Sequence, residues 1–141
     1  MSERHNHMEE IKHILAQKSS VLKEMIKCYM VLNKIEEIDL ENQITIKEHF
    51  QFLNQKSKLV QRLDLQFLSC YEAILRRNKV SVVSDLPENI LKAFKPVQSQ
   101  IQLIQDLESI LEQEAMDVSR LEQKLKKYEH FRSASKAYGH K

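Results

Sequence analysis

Six histidines and two cysteines are the residues of this 141-residue chain best suited to hold a metal or to carry chemistry. His5 and His7 form a His-x-His pair, and Glu10 with His13 forms a Glu-x-x-His. Zinc needs three or four such donors to converge, and a di-iron site needs two Glu-x-x-His motifs inside a helical bundle. Here there is one Glu-x-x-His, at an end expected to fray, with no HExxH and no cysteine nearby in the sequence. No metal site is therefore expected. Cys28 and Cys70 lie far apart, outside any Cys-x-x-Cys or Cys/His spacing. They read as two small buried hydrophobes with free thiols in a reducing compartment, a disulfide between them being the alternative. His49 and His130 adjoin Phe50 and Phe131 and read as exposed flanks. There is no Gly-x-Ser-x-Gly and no phosphate-binding glycine loop. No catalytic residue and no cofactor is expected, and the chain does not read as an enzyme.

The elements available to position any site are helices. The chain has one glycine, Gly139, and two prolines, Pro87 and Pro96, where average usage would give roughly ten and seven. That leaves almost no material for hairpins or tight turns, which excludes turn-rich all-β folds and Rossmann fingerprints. Charged residues at 30% and aromatics at 6% favour long exposed helices with narrow apolar seams. The net charge of +2 lacks the basic excess of a nucleic-acid binder. No apolar run approaches the ~18 residues that span a bilayer, and the N-terminus lacks the apolar core of a signal peptide. The expectation is a cytoplasmic protein with no membrane insertion and no nucleic-acid partner.

Three long helices are predicted. Ile11, Ile14, Leu15, Val21, Leu22, Met25, Ile26, Tyr29, Leu32 and Ile35 recur mostly at steps of three and four, which places them on one face of a helix over about 6–36. Ile46, Phe50, Leu53, Ser57, Val60, Leu63, Phe67, Cys70 and Ile74 form a heptad-like seam on a helix over about 39–78, with Asp39 as its cap. Ser84-Asp85-Leu86-Pro87-Glu88 is a helix start, predicting a short helix over about 87–94, and Pro96 predicts a kink or restart at Lys95. Ile104, Leu107, Leu111, Glu114, Val118, Leu121, Leu125 and Tyr128 mark a last helix over about 97–135, with Glu114 interrupting the seam. The tail, 136–141, is expected to fray. Helices of such length are stabilised by packing seam to seam, and short connections favour antiparallel neighbours. The expected fold is a single all-α domain, an elongated up-down-up bundle with coiled-coil-like packing. Exposed seams are compatible with a homodimer.

The last helix carries five acids and no base over residues 97–119, then seven bases and two acids over 120–141. That order complements the helix dipole and suits antiparallel packing against another charged helix. Leu121, Leu125, Tyr128, Phe131, Ala134 and Tyr138 continue as an apolar stripe into this basic stretch. Such anchors serve helix-in-groove recognition. The candidate partner-binding residues are Leu121, Leu125, Tyr128, Phe131 and Tyr138, and removing 120–141 is expected to abolish partner binding while leaving most helicity.

The layout resembles the flagellar export chaperones of the FlgN/FliT type over most of the chain. Two patches carry the resemblance. One is the stretch from Phe50 to Tyr71, with its Lys/Arg-containing turn, an apolar pair and a Leu-Asp-x-x-Phe at Leu63, Asp64 and Phe67. The other is the Lys136-Ala137-Tyr138 tail. The resemblance implies a cytoplasmic, non-enzymatic chaperone. Such a protein holds late axial subunits (hook–filament junction or filament cap proteins) by an amphipathic helix and delivers them to the export gate, with export-gate and export-ATPase components as further partners. A helical coiled-coil scaffold or adaptor without an export role is the alternative.

Overall fold

The computed structural model describes residues 6–138, with side chains as far as 134. The described residues form α1 (His7–Asn33), α2 (Gln43–Arg77), a single 3-10 turn (Val83–Asp85), α3 (Glu88–Ala93) and α4 (Lys95–Tyr138), with no strand among them. None of these helices is long and apolar enough to cross a membrane.

The ends of the helices follow local chemistry. Asn6 caps α1, its side-chain oxygen accepting from the Glu9 backbone N–H at 3.2 Å, and Glu9 and Glu10 place negative charge in the first turn. α2 begins at Gln43, four residues later than expected. Asp39 does not cap it. The Asp39 carboxylate accepts from the Asn42 N–H at 2.8 Å, the Asn42 side chain accepts from the Asp39 N–H at 2.9 Å, and Asn42 Nδ2 donates to the Glu37 carbonyl at 2.9 Å. This local ring of bonds offers the backbone an alternative to a further helical turn.

At the other end of α2 the chain reverses through Lys79, whose φ of 56° is left-handed. The Lys79 N–H bonds the Arg76 carbonyl at 3.0 Å and the Val80 N–H bonds the Leu75 carbonyl at 3.1 Å. This is the Schellman arrangement, with a lysine where a glycine usually stands. Pro96 lies in the first turn of α4, where its missing N–H has no partner to lose, and the expected restart is present, with α4 beginning at Lys95. α4 runs to Tyr138, past the expected end at 135, through a stretch of alanine and lysine that favours helix.

α1 is the middle of the bundle and packs against both α2 and α4. Early α1 faces late α2, and late α1 faces early α2: Glu24 pairs with Lys56 at 3.2 Å, and Cys28 lies 3.6 Å from the His49 carbonyl. α1 and α4 ascend together, with Gln100 donating to the Lys12 carbonyl at 3.2 Å and Lys124 to the Glu36 carbonyl at 3.0 Å. The result is the up-down-up order that the short connections predict. At 1.5 Å per residue α4, with 44 residues, is about 66 Å long and α1, with 27, about 40 Å. The predicted seams supply the core, in which Ile11, Leu22, Leu32, Ile46 and Val97 are almost completely buried. Glu114, the break in the α4 seam, is half-buried and accepts from Asn33 Nδ2 at 2.7 Å, so the acid is satisfied by the last residue of α1.

Candidate functional site

The five residues of the predicted docking stripe do not share one environment. Leu121 and Leu125 are 5% and 8% exposed and belong to the core that α4 shares with α1 and the start of α2. Tyr128 is half-buried, with the Arg132 guanidinium 6.0 Å from its ring centre. Phe131 is 71% exposed. Tyr138 ends α4, and its side chain lies outside those described. The reason for the split is geometric. Residues on a helix advance by about 100° each, so every three-residue step from Leu125 to Tyr128 to Phe131 falls about 60° short of a turn. The stripe winds off the buried face and reaches solvent at Phe131.

Polar contacts fasten this end of α4. Lys47 and Glu129 pair at 3.1 Å, and Arg132 Nη1 donates to the buried Gln43 side chain at 2.6 Å. Part of the basic segment is therefore engaged within the bundle. The same contacts bring the start of α2 beside the end of α4. Leu40 and Ile44, each 65% exposed, thus lie at the end of the molecule that carries Phe131. Three large apolar side chains are left in water at one end. Sequence periodicity finds Phe131 only, because Leu40 and Ile44 lie off the α2 seam.

Of the histidines, His13 and His130 are exposed, while His49 is half-buried, against expectation. Its Nδ1 lies 2.7 Å from the Thr45 carbonyl, and its ring lines a cleft of about 450 Å³ between α1 and α2 with Cys28, Val31 and Phe52. Cys28 and Cys70 are both free and buried, as expected, and burial pushes the Cys28 thiol pKa up.

Cys70 has a setting of its own. Packing of α1 against α2 brings it to His7 and Glu10, and one donor atom from each lies within 4.8 Å of the others. His7 Nδ1 is 3.8 Å from Glu10 Oε2. Burial, then a hydrogen bond to Glu10 and the charge of that carboxylate, push the Cys70 thiol pKa up to about 11. The sequence places no cysteine near the histidine cluster, and the fold supplies one. His5 lies outside the described residues.

The fold and these surfaces define an all-α bundle of three long helices with Phe131, Leu40 and Ile44 exposed at one end and a small polar cluster near the other. No known protein family, curated protein or solved structure matches the chain.

Proposed function

We propose that the protein is a cytoplasmic flagellar export chaperone of the FlgN/FliT type. In this reading it binds an amphipathic helix of a late axial subunit, a junction or cap protein, masks it against aggregation and hands it to the export apparatus. The observation that carries the proposal is the 71% exposure of the Phe131 ring, at the end of the bundle where Leu40 and Ile44 are also exposed. An aromatic ring held this far into solvent on a helix suits a partner that buries it. Aromatic residues and arginine are enriched in protein interfaces, and Arg132 follows Phe131 directly. The Leu63-Asp64-x-x-Phe67 patch supports the scaffold in this reading: Leu63 is buried, Asp64 binds Lys18 at 2.6 Å, and Phe67 stacks on Tyr71.

The test is the affinity of the intact chain for the C-terminal segments of junction and cap proteins. Phe131→Asp is expected to weaken binding about 30-fold, the equivalent of an anchor worth ~2 kcal/mol. Its circular dichroism and thermal midpoint should be unchanged, because the ring contributes little to the core. Full affinity in Phe131→Asp would move the docking site elsewhere. Binding to none of these segments would leave the helical scaffold reading in its place.

A further inference from the structure

We propose that His7, Glu10 and Cys70 form a binding site for a late first-row divalent cation, zinc being the best fit. The inference is independent of the chaperone reading. An imidazole, a carboxylate and a thiol are the three donor types that zinc accepts, and the sulfur and nitrogen donors together disfavour magnesium and calcium.

The placement of the donors follows from the fold. His7 and Glu10 are three residues apart in the first turn of α1, so they share a face. Cys70 sits near the end of α2, which runs antiparallel and meets that face. The pairing of α1 with α2 therefore assembles a donor set from two elements, before any ion is bound. The donor atoms lie within 4.8 Å of one another. Ligands of a tetrahedral zinc site, bonded at 2.0–2.3 Å, stand roughly 3.3–3.8 Å apart. Closing the difference needs a movement of about 1 Å, which rotations of the half-buried His7 and Glu10 side chains can supply without moving either helix.

The charges also match. A helix N-terminus by itself disfavours a cation. Here Glu10 and a thiolate at Cys70 bring two negative charges to a divalent ion, while Glu9 in the same turn is paired with Lys12 at 3.2 Å. As the metal–sulfur bond forms, the thiol proton leaves to solvent, while the imidazole binds neutral and the carboxylate binds ionised. Three protein donors leave the fourth position of a tetrahedral ion for water. A cleft of about 430 Å³, lined by His7, Met8, Ile74, Arg77, Asn78 and Ile90 among others, opens beside His7. Cys28 serves as the internal contrast: it is equally buried, but its sulfur faces a backbone carbonyl and it belongs to no such cluster among the described residues.

The experiment is a titration of the metal-free full-length protein with Co²⁺, read by absorbance, and with Zn²⁺, read by calorimetry. One equivalent of Co²⁺ should bind and produce the near-ultraviolet charge-transfer band of a cobalt–thiolate bond. The band should vanish in Cys70→Ser and persist in Cys28→Ser. His7→Gln and Glu10→Gln should each weaken Zn²⁺ binding at least 10-fold, whereas His13→Asn should leave it unchanged. A readout on the unaltered chain guards against misfolding of the variants: Zn²⁺ should protect Cys70, but not Cys28, from alkylation under conditions that permit slow labelling of both. Absence of the charge-transfer band, its survival in Cys70→Ser, or Zn²⁺ affinity insensitive to His7 and Glu10 would overturn the proposal.

Discussion

A lysine inside a helical bundle has to be explained by what surrounds its ammonium group. Lys18 has a side chain 11% exposed, and its Nζ lies 2.6 Å from Asp64 on α2 and 3.4 Å from Glu108 on α4. One side chain on the middle helix thus joins both neighbours. The two carboxylates are about half exposed and keep much of their hydration, so the cost of burial falls chiefly on the lysine. Replacing a buried ion pair by an apolar residue of similar size is often neutral or stabilising, whereas removing one partner strands a charge. Because Asp64 and Glu108 are half exposed and can be hydrated without the lysine, Lys18→Met strands no buried charge and should leave stability in urea unchanged or higher. The double variant Asp64→Ala, Glu108→Ala should lose about 3 kcal/mol, because the ammonium then sits in the interior without a counter-charge. The opposite order of stabilities would show that the lysine is hydrated. The position was half legible in the sequence. Lys18 fills the gap in the α1 stripe between Leu15 and Leu22, three residues after one and four before the other, so periodicity points inward while charge points outward. Its acidic partners come from distant helices, and no local pattern announces them. The same holds for Cys70, whose neighbours His7 and Glu10 are set by the register of α1 against α2.

At the scale of the helices, structure is most legible in the sequence where side-chain spacing alone decides. The seams of α1, α2 and α4 face the core as their three- and four-residue steps require. Ends were harder, because they depend on competing local bonds. Asp39 had the right chemistry to cap a helix at 39, but its exchange of bonds with Asn42 delays α2 to Gln43. The turn after α2 shows a second limit. Scarcity of glycine argues against sharp turns, yet the chain makes one with Lys79 in the left-handed region. A residue with a Cβ pays roughly 1 kcal/mol or more there, and glycine avoids that cost. Lys79→Gly should therefore raise the stability of the protein by about 1 kcal/mol in urea unfolding, with an unchanged denaturant slope. A loss of stability would mean that the lysine side chain makes contacts that outweigh the strain of its backbone.

At the scale of the whole molecule, the bundle is uneven in how its ends are held. α4 is about 26 Å longer than α1. Its last turns pack against the start of α2 through Lys47–Glu129 and Arg132–Gln43. The border between core and surface therefore falls inside the stretch 120–138, a division that apolar spacing alone could not locate. This changes how a docking surface there must be tested. A chain ending at residue 119 loses Leu121, Leu125 and the Lys124 bond to the Glu36 carbonyl along with Phe131. Removing even one buried leucine side chain costs 2–5 kcal/mol in typical cores, so this truncation should lower the thermal midpoint by about 10 °C or more. A chain ending at residue 130 keeps both leucines and the Lys124 bond; among the described contacts it forfeits those of Arg132 with Gln43 and Tyr128. Its midpoint, followed by circular dichroism, should fall by less than half as much. If partner binding is lost in both chains, only the second loss reports on the surface, since the first is confounded by damage to the core. Equal destabilisation of the two chains would mean that the segment from Phe131 onward is itself part of the stabilising core, and the apolar end would then lose its claim to be free for a partner.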